Sequence, residues 1–165
     1  MTAPLTEFEP FPKIARLRRG CVITEKIDGT NAQVVVTDDG TVRAASRKRW
    51  ITPQDDNFGF ARWVAEHADE LLLLGPGRHF GEWWGSGVQR GYGLTNGVRR
   101  FSLFNTARWA GSPDLPPCCE VVPILYRGEF STAAVDECVL TLATSGSRAA
   151  PGFMQPEGIV VFHHA

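Results

Sequence analysis

The sequence predicts an α+β fold with antiparallel sheets and helices on the outside. Three observations lead to this class. Short runs of apolar and β-branched residues, bounded by turn residues, recur near the start and the end of the chain and are typical of strands. A D-G turn joins two of these runs into an antiparallel hairpin. Over residues 58–74 and 132–144 the apolar residues recur instead with the period of an amphipathic helix.

Length and charge limit what the protein can be. At 165 residues the chain is long enough for one domain with a substantial core. The formal net charge of −1 argues against a surface that binds nucleic acid everywhere, because such binding requires a basic excess. Any contact of this kind must be local, and the basic clusters Arg47-Lys48-Arg49 and Arg99-Arg100 are the candidates.

Cysteine spacing and apolar runs indicate the compartment. The cysteines at positions 21, 118, 119 and 138 do not form the C-x-x-C spacing of a zinc or redox centre, so we expect free thiols in a reducing environment. Residues 1–12 lack the basic and apolar regions of a signal peptide, and no apolar run is long enough to span a bilayer. We therefore expect a soluble, cytoplasmic monomer.

The stretch T-E-K-I-D-G-T-N, residues 24–31, combines an amine, an acid and a turn between two predicted buried strands, residues 21–23 and 32–36. Strand side chains alternate, so Lys26 and Asp28 project from one face, and the glycine that follows allows a sharp turn. Burial is expected to lower the pKa of Lys26 below its ordinary value of about 10.4, which makes the amine a nucleophile. The alternative is an exposed Lys26–Asp28 ion pair on a surface hairpin.

A hairpin follows this stretch. The D-G turn Thr37-Asp38-Asp39-Gly40 leads into a return strand over residues 41–46. The return strand is expected to place Arg47 beside the strand that bears Lys26. A guanidinium there can hold phosphate or ribose through its fixed fork of donors.

The first helix is predicted over residues 58–74. Residues 55–57 offer an aspartate or asparagine as its N-cap, and Gly75-Pro76-Gly77 ends it. His67 lies on the apolar side and is interpreted as a core histidine rather than a ligand. Before the first strand, residues 10–19 are expected to form a loop with a short helical turn.

A strand over residues 79–84 carries Glu82 between aromatic residues that would shelter its carboxylate, and the alternative is a strand glutamate that faces solvent.

The glycine-rich residues 86–97 are expected to form a mobile loop over the site, although they lack the P-loop pattern. Further strands are predicted over residues 101–105, 121–125 and 152–161.

Five segments of the chain occur in the order of known sequence motifs. Together they resemble motifs I, Ia, III, IIIa and IV of the covalent nucleotidyltransferases, and most closely the ATP-dependent RNA ligases of the second, phage-type family. The resemblance extends from about residue 20 to the end. The segments are Glu25-Lys26-Ile27-Asp28-Gly29, Ser46-Arg47-Lys48-Arg49, Phe80-Gly81-Glu82-Trp83-Trp84-Gly85, Phe101-Ser102-Leu103-Phe104-Asn105 and Pro156-Glu157-Gly158-Ile159-Val160-Val161.

The resemblance implies a nucleotide cleft between the antiparallel sheets of an adenylyltransferase domain. It implies that Lys26 attacks the α-phosphorus of ATP, with Asp28 and Glu157 as further catalytic residues and Glu157 as the residue that organises Mg²⁺. AMP then passes to a 5′-phosphate end, and a 3′-hydroxyl displaces it to seal RNA, with DNA ends as the other option. The residues implied in nucleotide binding are Glu25, Ile27, Asn31, Arg47, Glu82 and Phe104. Of these, Phe104 is expected to stack on the purine, whereas Phe101 belongs to the core.

Two features depart from the family pattern. Asn105 stands where many relatives of the wider superfamily have an aspartate. No K-x-K pair, the motif V lysines that contact the α-phosphate in that family, follows Glu157. Residues 1–165 are therefore expected to form a single adenylyltransferase domain that is incomplete at its C-terminus.

Three other functions stay open at this point. The same Lys-x-Asp-Gly motif serves DNA ligases and capping guanylyltransferases. A copy that lacks motif V would instead be a non-catalytic protein that binds nucleotides or nucleic-acid ends. A purely structural protein is the third alternative.

Overall fold

The structure, a computed structural model, describes residues 19–164. It contains two β-sheets with helices packed on their outer faces, which confirms the predicted α+β class. The predicted loop over residues 10–19 lies outside the described residues except for Arg19. No helix within residues 19–164 is long and apolar enough to cross a bilayer.

The six strands of the larger sheet are β2 (Thr30–Val36), β3 (Val42–Ser46), β4 (Trp50–Ile51), β5 (Gly77–Gly85), β6 (Arg99–Leu103) and β7 (Cys119–Val121). Their order across the sheet is β4-β3-β2-β5-β6-β7. Neighbouring strands in this sheet are antiparallel except for β6 and β7, which are parallel. The predicted hairpin is present, since β2 and β3 are joined by the D-G turn with Gly40 at a φ of 83°.

The smaller sheet has the order β8-β1-β9, with β1 (Gly20–Lys26) between β8 (Ile124–Glu129) and β9 (Gly158–His163). The prediction of one strand over residues 121–125 is wrong, because β7 ends and β8 begins there in different sheets. The break falls at Pro123, which has no amide N–H to donate to a ladder. Its carbonyl oxygen accepts a hydrogen bond from the Glu25 amide at 3.0 Å.

The predicted helix over residues 58–74 is divided into α1 (Phe60–Glu66), α2 (Ala68–Leu71) and a 3-10 turn, Leu72–Leu74. The division falls at His67, whose φ of −114° and ψ of 18° are not helical. The His67 ring nitrogen Nδ1 lies 2.8 Å from the Trp63 carbonyl oxygen, so this histidine has a structural partner.

The N-cap of α1 is Gly59, so the prediction of an N-cap at residues 55–57 is wrong, but the amides of the first turn are capped by the side chain of Asp56. Its carboxylate accepts hydrogen bonds from the amides of Ala61 (2.8 Å) and Arg62 (3.0 Å), which have no partner inside the helix. Two further helices follow, α3 (Thr106–Trp109) and α4 (Thr132–Ser145), and α4 matches the prediction of residues 132–144. The Ser131 hydroxyl caps α4 by accepting from the Ala134 amide at 3.0 Å.

The two faces of the larger sheet differ in character. One face carries the main apolar core, including Val34, Trp83 and Phe101, against which α1 packs. Residues that are paired directly across neighbouring strands have their side chains on the same face of the sheet. On the face opposite the apolar core, these pairs form three rows that run across the strands. The inner row is Asn31, Glu82 and Ser102; the middle row is Trp50, Ala45, Gln33 and Phe80; the outer row is Arg43, Val35 and Arg78.

A buried carboxylate ties the end of α4 to β1. The Glu25 side chain is almost fully buried and accepts hydrogen bonds from the Ser147 hydroxyl (2.7 Å), the Arg148 amide (2.6 Å) and the Ala149 amide (3.4 Å). A buried charge is tolerated only when it is paired in this way. Glu25 therefore fixes the chain that leads from α4 toward β9.

Replacing Glu25 with alanine is expected to lower the free energy of unfolding by at least about 1–3 kcal/mol, because it leaves buried donors without acceptors. Urea denaturation measures this loss. Glu66→Ala is the matched control, since the Glu66 side chain is 56% exposed. Equal stability of the two variants would contradict a structural role for Glu25.

Candidate active site

The chain crosses from the smaller to the larger sheet at Gly29. A Cβ atom at this position would lie 2.3 Å from the Trp83 carbonyl oxygen and 2.8 Å from Trp84 Cβ, so only glycine permits the approach. The Gly29 amide donates a hydrogen bond to Oε1 of Glu82 at 3.1 Å. This crossing brings the ends of β1 and β5 together.

Lys26 is the last residue of β1, and its side chain is 54% exposed. The prediction that Lys26 is buried is therefore wrong. The physical reason is its cross-strand partner, Gly158, which has no side chain to cover it. Lys26 Nζ lies 3.1 Å from Oε1 of Glu157, so the motif I lysine and the motif IV glutamate form an ion pair.

Asp28 does not pair with Lys26, so the Lys26–Asp28 alternative is wrong as well. Its carboxylate lies 3.2 Å from Nε of Arg90, and its amide donates to the Tyr92 hydroxyl oxygen at 2.8 Å. Arg90 also donates to the Gln155 carbonyl oxygen at 3.0 Å, two residues before Glu157. Arg90 thus links the segments that carry the two predicted catalytic acids.

The glycine-rich residues 86–97 are packed into the fold rather than lying loosely over the site. Val88 and Tyr92 are buried, and Tyr92 packs against Trp84 and Phe153. Burial raises the pKa of the Tyr92 hydroxyl above its ordinary value. Sequence reasoning missed Arg90 and Tyr92, because their roles arise from contacts with segments more than sixty residues away.

Glu82 lies opposite Asn31 in the inner row and is 8% exposed, so the solvent-facing alternative is wrong. Its pKa is raised to about 7, mainly by burial and also by the nearby carboxylates of Glu157 and Asp28, while the Gly29 hydrogen bond and Lys26 act in the opposite direction. The predicted residues of motifs I, III and IV are therefore close enough to act on one another electrostatically.

A small cavity of about 140 Å³ lies beside the inner and middle rows. Phe104 borders it with 43% of its surface exposed, as a stacking platform requires, whereas Phe101 is fully buried in the core. Sequence reasoning missed Phe80, which borders the cavity next to Phe104 and could have been found from its two-residue spacing to Glu82. The cavity is lined by Asn31, Ala32, Gln33, Ser46, Arg47, Phe80 and Phe104.

Arg47 follows β3, which pairs with β2 and β4. The expectation that it lies beside the strand bearing Lys26 is therefore wrong, because β1 belongs to the other sheet. Arg47 nevertheless borders the same cavity as Asn31 and Phe104. Its guanidinium is available to a ligand in that cavity.

Two predicted nucleotide-binding residues have their side chains committed to the fold. The Glu25 carboxylate is held by residues 147–149, and Ile27 is buried with Trp84 and Tyr92 in a small core between the sheets. Their side chains are not free to contact a nucleotide. Asn105, the departure from the family pattern, caps α3 by accepting from the Arg108 amide at 3.1 Å.

The residues available for a metal are carboxylates. No three acidic, histidine or cysteine side chains within residues 19–164 are grouped to hold an ion by themselves. Mg²⁺ commonly binds through one or two carboxylates together with substrate phosphates, and Glu157, near Asp28 and Glu82, offers donors of that type. The donor chemistry fits a metal that arrives with a nucleotide.

A larger cavity, of about 460 Å³, lies elsewhere in the fold and is bordered by Arg108, Trp109 and Leu115. None of the predicted site residues lines it. It therefore plays no part in the candidate active site.

Comparisons with known proteins were made for the sequence and the fold. A family profile described as RNA ligase matches residues 19–162. No curated protein sequence matches the chain. Solved structures of an RNA ligase from Naegleria gruberi are similar in fold, among them a lysine-to-methionine variant with AMP and Mn, a lysine-to-alanine variant with ATP and Mn, and an aspartate-to-alanine variant without ligand.

The likeness to these structures covers most of this chain and part of theirs. The three match with TM-scores of 0.62, 0.64 and 0.63 at 21%, 22% and 22% identity. They cover 88%, 89% and 88% of this chain and 46%, 47% and 46% of their own. The chain thus spans about half the length of the ligase that it matches.

The raised pKa of Glu82 predicts a pH dependence of stability. Between pH 4.5, its ordinary pKa, and about 7, the folded protein keeps Glu82 protonated while the unfolded chain ionises it. The contribution of Glu82 to the free energy of unfolding is therefore complete below this window and is lost as the pH rises through it. In urea denaturation across this range, Glu82→Gln should remove that part of the decline. An identical decline in wild type and variant would contradict the raised pKa.

Proposed function

We propose, because this chain belongs to the RNA ligase family, that it activates RNA ends with ATP through an AMP bound covalently to Lys26. The observation that carries the proposal is the convergence of three distant segments on one point. Lys26 contacts Glu157 at 3.1 Å, and Glu82 lies within electrostatic range of Lys26, Asp28 and Glu157. A purely structural protein has no need for an exposed lysine among three carboxylates.

The reaction begins with ATP bound so that its adenine lies at the small cavity. Phe104 offers an aromatic face to the adenine, and Arg47 and Asn31 offer donors to its ribose or phosphates. Glu82 can accept a hydrogen bond from a ribose hydroxyl. These contacts orient the α-phosphate toward Lys26, which is the main contribution a protein makes to phosphoryl transfer.

In the chemical step the Lys26 amine bonds to the α-phosphorus, and the bond to the pyrophosphate oxygen breaks. The ammonium must first lose a proton, and Glu157 is the carboxylate in contact with Nζ that can accept or direct it. A divalent metal held with the help of Glu157 would supply charge neutralisation of the phosphates. Asp28 is held by Arg90 at 3.2 Å and lies within electrostatic range of Glu82.

The later steps use RNA as the substrate. AMP passes from Lys26 to a 5′-phosphate, and a 3′-hydroxyl then displaces AMP to join the strands. We further propose that the ligase works as a cytoplasmic monomer and that residues 1–165 form one adenylyltransferase domain. The described part of this domain already brings together the predicted catalytic residues.

Lys26→Ala is expected to abolish covalent labelling by α-labelled ATP in the presence of magnesium. The label in wild-type protein should be acid-labile, as a phosphoramidate is. Lys48→Ala is the matched control, since Lys48 is the other lysine within residues 19–164 and is exposed. Label that survives Lys26→Ala would contradict the assignment, and ATP binding without any label would favour the non-catalytic alternative.

Phe104→Ala is expected to weaken ATP binding by about 1–3 kcal/mol, because one aromatic face for the base is lost. Isothermal titration of wild type and variant measures the change. Phe162→Ala, at an exposed phenylalanine of β9 in the other sheet, should have no effect. Covalent labelling by GTP as strong as that by ATP would instead favour capping chemistry.

A further inference from the structure

The middle and outer rows lie on the same face of the larger sheet as the small cavity and extend beyond it. The middle row ends in Phe80 on one side, where the Phe104 amide donates to the Phe80 carbonyl oxygen, and in Trp50 on the other. Three strand spacings separate Trp50 from Phe80, or about 14 Å. A single adenine stacked at Phe104 therefore does not reach Trp50.

The side chains of Trp50 and Phe80 are exposed enough to contact a ligand. Trp50 is 42% exposed at the edge strand β4, and Phe80 is 53% exposed. Between these two aromatic residues the row contains the small, buried Ala45 and the partly buried Gln33. The row therefore carries an exposed aromatic residue at each end.

The outer row is basic. Arg43 and Arg78 lie on either side of Val35, whose burial at 8% exposure is consistent with cover from their aliphatic stems. The Arg43 guanidinium lies 3.8 Å from the Trp50 ring centre, and that of Arg78 lies 5.7 Å from it. Neither arginine forms an ion pair within the part of the chain that the structure describes.

This arrangement is a local excess of positive charge on a chain whose net charge is −1. Basic groups that lack acidic partners, placed beside exposed aromatic faces, are the combination that binds single-stranded nucleic acid. Arginine guanidiniums hold phosphates, and aromatic rings stack on unpaired bases. A duplex presents its bases already stacked and offers no partner to Trp50.

We propose that Trp50, Arg43 and Arg78 form a binding site for a single-stranded segment of the RNA substrate. A base stacks on the part of the Trp50 ring that the overlying Arg43 guanidinium leaves exposed, and the phosphates on either side of that base contact Arg43 and Arg78. The proposal rests on the proposed RNA ligase function, but the site is separate from the residues that form the lysine-bound AMP. Because the net charge is only −1, contact with nucleic acid must be local, and this site would provide such a contact.

The test is fluorescence anisotropy with a short single-stranded RNA that carries a 5′-phosphate and a 3′ fluorophore, at several salt concentrations. Trp50→Ala should weaken binding by about fivefold to 150-fold, and Trp50→Phe by less, because phenylalanine retains an aromatic face. Arg43→Ala and Arg78→Ala should each reduce the salt slope by about 0.7, the value for one phosphate contact on a single strand. Arg62→Ala, an equal charge change on an exposed residue of α1 behind the sheet, is the control and should change neither quantity.

Covalent labelling with ATP alone separates this proposal from the proposed function, since it requires no RNA. If wild-type protein forms no lysine-bound AMP, the proposed function fails. If it does, and the variants of Trp50, Arg43 and Arg78 bind the RNA no more weakly than Arg62→Ala does, the RNA site is wrong while the function stands. Equal loss of affinity for a fully paired duplex in Trp50→Ala would also overturn the proposal, because stacking on an unpaired base would not explain it.

Discussion

The hydrogen bond from the Gly29 amide to the Glu82 carboxylate, 3.1 Å long, joins the two sheets where the chain crosses between them. It exists only because residue 29 has no Cβ, which would collide with the backbone of β5. On one side of this crossing lie Lys26 and Asp28, and on the other lies Asn31. The geometry of the site therefore depends on one close approach of two main chains.

The sequence was a good guide to the local elements and to the family. The hairpin of β2 and β3 and the helix α4 were both predicted from alternation, turn residues and apolar period. These features depend on neighbours along the chain, which a sequence displays directly. The same holds for the ordered motifs, because each one is a short contiguous segment.

What the sequence did not predict depends on contacts between distant segments. Lys26 was expected to be buried because its neighbours are apolar, yet its cross-strand partner is a glycine far along the chain. The glycine-rich residues 86–97 suggested a mobile loop, but Tyr92 and Arg90 in this stretch hold the backbone and carboxylate of Asp28. No pattern in either segment specifies its partner, so only the fold could reveal these contacts.

In the proposed mechanism Lys26 accepts AMP, and the neighbouring face of the larger sheet binds the substrate. Peptide mass spectrometry of the wild-type protein after incubation with ATP and magnesium can locate the AMP. We predict an added AMP that fragmentation places on Lys26, paired with Glu157 in the free protein. AMP on any other residue, or intact ATP bound without covalent addition, would contradict the account.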